Sequence, residues 1–231
     1  MKTQIVYEDN EILVIYKPEG LAAQSARVTQ ADVVSEICSY LKNPYVGLVH
    51  RLDQPVEGLM VLGKTKAAAA NLSSQVTAGN LEKMYVAVVS DETEETDAAS
   101  KAGPSQEWTE LTDYLEKDAK AGKARVVKSG GQKAILFYRR LSTEPDNTAL
   151  LEIRLITGRF HQIRAQMSHA NMPLLGDVKY GSEKSQKLSG DRNVKSVALC
   201  AYKLSFLHPK TKKEMNFEIR PHKPVFNSYD F

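Results

Sequence analysis

The feature of this 231-residue sequence that most constrains its fold is a series of short apolar segments separated by turn-forming residues. Segments at 108–115, 124–128, 134–141 and 149–156 have the length and the residue types of strands, and glycine, proline or asparagine lies between them. Short connections of this kind join antiparallel neighbours. The pattern therefore predicts an antiparallel meander in this part of the chain.

The other elements suggest helices that flank such a sheet. Apolar residues at helical spacing predict helices at 31–42, 66–77 and 160–170. Shorter apolar runs predict further strands at 4–7, 12–16, 59–62, 81–89, 197–207 and 214–219. We therefore expect an α+β fold with a mixed, mostly antiparallel sheet and flanking helices.

Composition excludes several classes of protein. With 42% hydrophobic residues the chain can bury a substantial core, and we expect one domain over 1–231 with a polar surface excursion at 90–106. No apolar run is long enough to cross a bilayer, so we expect a cytoplasmic monomer without membrane contact. Cys38 and Cys200 lie in apolar contexts far from other ligand residues. No disulfide, metal site or cofactor is expected.

Charge is unevenly distributed, although the formal net charge is only +3. Acidic residues concentrate at 91–97, whereas 117–140 and 203–223 are rich in lysine and arginine. A basic surface of this kind binds phosphates without sequence preference. It is also compatible with ordinary solvated strands.

A reactive carboxylate is suggested by the segment Gly-Leu-Val-His-Arg-Leu-Asp-Gln-Pro at 47–55. Its apolar residues anchor it in a core, while Gln54-Pro55 and Gly58 interrupt regular structure. Asp53 should therefore lie in a shaped loop that is packed on one side and open on the other. Taken alone, the segment fits an ordinary turn aspartate better than a reactive one.

A second segment favours the reactive carboxylate over the ordinary turn residue. Leu-Ile-Thr-Gly-Arg-Phe-His-Gln-Ile-Arg at 155–164 is followed by Pro-Leu-Leu-Gly-Asp at 173–177 and Tyr180-Gly181. With the 47–55 segment, Lys-Met-Tyr-Val-Ala at 83–87 and the residues at 7–21, these motifs resemble the RluA-type family of pseudouridine synthases. The resemblance implies a single catalytic domain without a preceding RNA-binding domain, and a sheet whose halves bracket a central RNA-binding cleft.

The resemblance also implies a reaction and its residues. Uridines in structured ribosomal or transfer RNA would be isomerised to pseudouridine with no cofactor. Asp53 would supply the carboxylate, Arg164 the cation that keeps it ionised, and Tyr85 a ring that stacks on the base. An exposed helix arginine at 164 and a tyrosine packed in the sheet at 85 remain alternatives.

The remaining candidates concern RNA, because a uridine must leave its helix to reach a carboxylate in a cleft. The resemblance implies that Arg51 holds the displaced nucleotide, and Arg159 is suited to a phosphate. Weaker candidates for RNA contact, each of which could instead bond locally, are His50, His161 and Gln162.

Two features argue for other functions. Val56-Glu57 stands where the family more often has Thr-Ser, which leaves open a catalytically inactive RNA-binding protein of the same fold. Residues 58–65 fit the letters of a nucleotide-binding phosphate loop. We reject that function because the four middle residues are Leu-Met-Val-Leu, which form a strand and not a flexible loop.

Overall fold

The computed structural model describes residues 1–25, 30–93 and 105–229. Most of the surface excursion expected at 90–106 therefore lies outside the described residues. The chain divides into two compact units, one of residues 1–83 and 200–221 and the other of 84–199 and 222–231. The single domain and its central cleft stay predictions.

The first unit is built on a mixed sheet with two helices. Its elements are β1 (Gln4–Glu8), β2 (Ile12–Lys17), α1 (Val33–Leu41), β3 (Gly47–Leu48), β4 (Glu57–Gly63), α2 (Lys66–Ala78), β10 (Leu199–Leu207) and β11 (Glu214–Glu218). The strand order is β1-β2-β4-β10-β11, and β3 also pairs with β4. β4 runs parallel to β10 and antiparallel to β2.

Helix α2 packs its apolar side on this sheet. Its Ala68 and Leu72 belong to one buried cluster with residues of β2, β4 and β10. Both helices begin where the local sequence supplies a cap. Thr65 accepts a hydrogen bond from the Ala68 N–H, and Asp32 and Ser35 form a capping box at the start of α1.

The second unit contains the predicted meander. Its elements are β5 (Glu82–Ser90), which starts two residues before the boundary, β6 (Thr109–Asp118), β7 (Lys123–Val126), β8 (Gln132–Thr143), β9 (Thr148–Leu155), α3 (Gln162–His169), α4 (Glu183–Asp191) and a 3-10 helix (Pro224–Ser228). The order β5-β9-β8-β6-β7 is antiparallel throughout. The expected α+β class with a mixed, mostly antiparallel sheet is confirmed.

Helix α4 was missed by the sequence prediction. It contains one leucine and has no apolar stripe, and it packs instead through small residues, because Ser185 and Ser189 are buried. Its signal was Ser182, whose side chain accepts a hydrogen bond from the Ser185 N–H. None of the helices in the described ranges is long and apolar enough to cross a membrane.

Candidate functional site

Asp53 lies in the first unit, in the irregular segment between β3 and β4. Leu52 and Val56 on either side are buried, while the Asp53 side chain is half-buried. The Val56 N–H donates to the Asp53 carbonyl oxygen at 3.0 Å, which closes a turn. The expected arrangement, with apolar anchors around a partly accessible carboxylate, is present.

A buried lysine fastens this turn to the end of β2. Lys17 is fully buried, and its ammonium donates to the carbonyl oxygens of Leu21 at 2.7 Å, Pro18 at 3.0 Å and Gln54 at 3.3 Å. Three carbonyl acceptors match the three N–H groups of an ammonium, which offsets the cost of removing the charge from water.

The same two segments are joined through Gly20. Its N–H donates to the Gln54 carbonyl oxygen at 2.8 Å, and the Gln54 side chain donates to the Gly20 carbonyl oxygen at 3.0 Å. Sequence reasoning did not assign a role to Lys17. The available signal was a lysine that closes the otherwise apolar strand Ile-Leu-Val-Ile-Tyr-Lys.

His50 and Arg51 differ in what they offer a ligand. The His50 Nε2 accepts a hydrogen bond from the Val61 N–H at 3.1 Å, so the proton of the neutral ring is on Nδ1. Burial, with the charge of nearby Lys83, lowers the pKa of His50 to about 3. His50 is therefore neutral and supports β4, whereas the Arg51 side chain is exposed.

The second unit holds Tyr85 on β5. Tyr85 is 4% exposed and lies opposite Ile153 of β9 in the antiparallel register. The tyrosine is therefore packed in the sheet, as the alternative reading of the sequence allowed. Its role in stacking on a base stays a prediction.

Arg164 is buried on α3 and is not the exposed helix arginine that the sequence left open. The side chain is 4% exposed, and Nε and Nη2 donate to the two carboxylate oxygens of Asp177 at 2.6 and 2.8 Å. Its guanidinium carbon also lies 5.0 Å from the centre of the Tyr180 ring. Two-point pairing fixes the plane of the guanidinium.

Asp177 was not identified as the partner of Arg164 from the sequence. Its Oδ1 also accepts hydrogen bonds from the N–H groups of Lys179 and Tyr180, at 3.0 and 3.2 Å. The Asp177 carboxylate thus binds the backbone of its own turn and also holds the Arg164 guanidinium. The segment Gly-Asp at 176–177 was a motif of the resemblance, but its distance in sequence from Arg164 concealed the pairing.

Gln162 shapes the turn that leads into α3. The side-chain oxygen accepts hydrogen bonds from the Thr157 hydroxyl at 2.8 Å and the Arg159 N–H at 2.9 Å. Its amide nitrogen donates to the Ile135 carbonyl oxygen at 3.1 Å and to Gln166 at 3.0 Å. Gln162 is buried, so its polar atoms serve the protein's own turn.

Arg159 and His161 lie closer to solvent at this turn. Arg159 is exposed, and its Nε donates to the Lys133 carbonyl oxygen at 3.0 Å. His161 is half-buried, its ring stacks on Phe160 with centres 3.8 Å apart, and its Nδ1 lies 2.9 Å from the Tyr180 hydroxyl. These are the residues of the segment that offer polar groups near the surface.

The phosphate-loop alternative is excluded by the fold. The segment 58–63 belongs to β4, whose residues are all buried. Lys64 is bound to the Glu8 carboxylate and the Asp9 carbonyl oxygen, each at 2.6 Å. A strand inside a sheet cannot wrap its N–H groups around a phosphate, as that motif requires.

The sequence matches a family model described as RNA pseudouridylate synthase over residues 11–169, a range that includes Asp53, Tyr85 and Arg164. It is 30% identical over 233 residues to ribosomal large subunit pseudouridine synthase D of Zymomonas mobilis, covering 93% of this chain and 68% of that protein. For the protein of the same name from Neisseria meningitidis serogroup A, the identity is 35%, over 94% of this chain and 58% of the relative.

The fold also matches solved structures. Human RNA Pseudouridylate Synthase Domain Containing 1 superposes with a TM-score of 0.72 at 20% identity, over 99% of this chain and 86% of that chain. Human RNA Pseudouridylate Synthase Domain Containing 4 gives 0.68 at 23% identity, over 95% and 89%. The chain spans 64% of the length of another relative, ribosomal large subunit pseudouridine synthase C of Buchnera aphidicola.

Proposed function

We propose that this chain, which belongs to the RNA pseudouridylate synthase family, converts a uridine of ribosomal RNA to pseudouridine with Asp53 as the reacting carboxylate. The observation that carries the proposal is the Asp53 turn, where a half-buried carboxylate stands on a backbone that Lys17 and Gly20 fasten. Ribosomal RNA is chosen because the relatives from Zymomonas and Neisseria are named for the large ribosomal subunit.

The reaction is an isomerisation and needs no redox partner. The bond between ribose C1′ and uracil N1 breaks, the base rotates, and a bond forms between C1′ and C5. The proton on C5 is lost and N1 regains one, so atoms and charge balance. Asp53 could add to the sugar, add to the base, or assist a glycal intermediate, and each route requires the ionised carboxylate.

Arg164 stays the predicted cation of the reaction. Asp177 binds its guanidinium at two points. The positive charge is therefore held in one position and orientation and does not move with a flexible side chain. Tyr85 stays the predicted ring for the base. Being packed in a strand, it would present that ring without loss of side-chain freedom.

RNA contact is assigned first to the exposed arginines. Arg51 and Arg159 can reach phosphates or a displaced nucleotide from the surface of their own units. His161 is a weaker candidate because its Nδ1 is near the Tyr180 hydroxyl. For His50 and Gln162 the structure favours support of β4 and of the α3 turn.

The assignment of Asp53 is tested with ribosomal RNA that carries tritium at uracil C5. The wild-type protein should release tritium without added metal or nucleotide, and Asp53→Asn should reduce the rate by at least about 10⁴-fold. Asp191→Asn is the matched control, because this exposed aspartate at the end of α4 removes the same charge.

Two results would contradict the proposal. Release by Asp53→Asn at the wild-type rate would exclude Asp53, and RNA binding without release by the wild-type protein would favour the inactive RNA-binding alternative. The substrate is tested separately by mapping pseudouridines in ribosomal and transfer RNA of cells with and without this protein. A vanished position that lies only in transfer RNA would contradict the ribosomal assignment.

A further inference from the structure

A buried carboxylate lies where the chain departs from the family pattern. Glu57 is the first residue of β4, four residues after Asp53, at a position where the resemblance leads one to expect a serine. The residue is only 2% exposed. Carboxylates are rarely removed from water without a partner, so the fold must supply one.

One partner is Tyr16 on the neighbouring strand β2. Its hydroxyl donates to Glu57 Oε2 at 2.5 Å, and Tyr16 is itself 4% exposed. Burial, together with the hydrogen bond to Glu57, raises the pKa of the Tyr16 phenol, so the hydroxyl keeps its proton and acts as the donor. Tyr16 faces Leu59 across the strands, which places its side chain on the same face as Glu57.

The bond secures one end of the Asp53 turn. The Val56 N–H closes the turn on the Asp53 carbonyl oxygen, and Glu57 follows directly. Lys17, which follows Tyr16 in β2, secures the turn at Gln54. Two successive residues of one strand therefore hold the same turn at two points.

The backbone beyond Glu57 has little freedom to move. Gly58 has φ of +132°, and a Cβ there would lie 2.4 Å from the Ala201 carbonyl oxygen of β10. Only glycine permits this close approach of β4 and β10. The backbone of Glu57 and Gly58 is also paired with Cys200 and Ala201 of β10, which keeps this end of β4 in the sheet.

We propose that the Tyr16–Glu57 hydrogen bond positions Asp53 for the reaction, in place of hydrogen bonds that hydroxyl groups at 56 and 57 could make. The inference rests on the proposed function of Asp53. Both side chains are almost fully buried, so they are positioning residues and do not touch the RNA. A carboxylate on a turn needs such restraint because a displacement of about 1 Å can cost about 100-fold in rate.

The first test separates turnover from binding. Tyr16→Phe should lower kcat by about 10- to 100-fold while KM for the RNA changes less than about twofold. Hydrogen exchange of the Val56 amide should become faster, which reports the turn independently of activity. Glu57→Gln retains an acceptor oxygen and should keep kcat within about threefold of wild type.

A double variant separates positioning from stability. Tyr16→Phe with Glu57→Met removes both polar partners, which should restore the Tm that Tyr16→Phe loses. Under the proposal kcat stays low, because the bond that holds the turn at Glu57 is still missing. The control is Tyr229→Phe in the other unit, which removes a buried hydroxyl next to Thr148 and should lower Tm without lowering kcat.

The outcomes are distinct from those that test the reaction itself. Recovery of kcat together with Tm in the double variant would overturn the positioning role, as would a loss of kcat in Tyr16→Phe no greater than in Tyr229→Phe. A wild-type protein that releases no tritium would contradict the proposed function. The exchange of the Val56 amide would still test whether the bond holds the turn.

Discussion

The Asp53 turn and helix α3 hold a charged residue in opposite ways. Around Asp53 the fixed groups are backbone carbonyls and N–H groups, while the carboxylate itself is half-buried. Around Arg164 the fixed group is the charged side chain itself, which is buried and paired with Asp177. In the first arrangement the backbone that carries the charged group is fastened, and in the second the charged group itself is fastened.

Because of this difference, some substitutions should affect stability and others should affect only turnover. Removing one partner of a buried ion pair greatly lowers the free energy of unfolding, because the remaining charge stays buried without a partner and cannot return to water. Asp53 is only half-buried, so loss of its charge should cost less than loss of a fully buried partner such as Asp177. Substitutions at Asp177, Lys17, His50 and Thr157 should show this difference with decreasing effect.

The largest effect is expected for Asp177→Asn. Without the carboxylate the buried Arg164 loses its two-point partner, so the free energy of unfolding should fall by about 3–5 kcal/mol. Asp53→Asn should change it by less than about 1 kcal/mol. Urea unfolding of both variants measures the two changes in the free energy of unfolding. Equal losses would show that Asp177 is no more important for stability than Asp53.

Lys17→Met should be next in size. The methionine keeps the aliphatic chain but leaves the carbonyl oxygens of Leu21, Pro18 and Gln54 without their donor, at a cost of about 3 kcal/mol. Turnover should fall as well, because the Asp53 turn loosens. The control, Lys64→Met, loses a partly exposed ion pair with the Glu8 carboxylate and one bond to the Asp9 carbonyl oxygen, and should lose only about 1 kcal/mol. Similar stability of the two variants would contradict the role of Lys17.

His50 should make stability depend on pH. Its pKa is about 3 in the folded protein and near its ordinary value of 6.5 when unfolded. Between these values the unfolded chain binds more protons, so stability is complete above about pH 6.5 and falls as the pH decreases, by about 2 kcal/mol at pH 5.

His50→Gln should remove most of this slope. The glutamine oxygen can still accept from the Val61 N–H, but it does not titrate. Unfolding free energies of both proteins between pH 7 and pH 5 provide the measurement. An unchanged slope would assign the pH dependence to other groups.

The smallest effect is expected at the turn before α3. Thr157→Val removes the hydroxyl that donates to Gln162 and accepts from the Ile135 N–H, and should cost about 1 kcal/mol. Ser228→Ala, which loses an exposed hydroxyl bond to the Val225 carbonyl oxygen, is the control with almost no change. A loss near that of Asp177→Asn would show that the turn and the ion pair are one unit.

Local patterns predicted most of the secondary structure. Residues 66–77, with alanine and leucine at helical spacing, form α2, and the turn-separated apolar segments form β6 to β9. The pattern failed at α4, where buried serines replace apolar residues. Periodicity detects only helices whose buried side is apolar.

The candidate site could be predicted in its residues but not in its supports. Asp53, Tyr85 and Arg164 stood in recognisable motifs, and their catalytic roles remain predictions. The lysine that closes β2 was visible, but its carbonyl acceptors were not. The partners of Asp177 and of Glu57 gave no local signal either, because a hydrogen bond between distant residues leaves no periodic trace in a sequence. The Val56-Glu57 departure was visible, but its buried tyrosine partner was not.

Local patterns and ordered motifs in the sequence were enough to assign the fold class and the family and to name candidate residues for the reaction. Which charged side chains are buried, and which groups they bind, could be seen only in the tertiary structure. Lys17 is satisfied by carbonyl groups, Glu57 by Tyr16, and Arg164 by Asp177. The physical reason is that the state of a polar group depends on whether water is removed from it and which partner replaces that water.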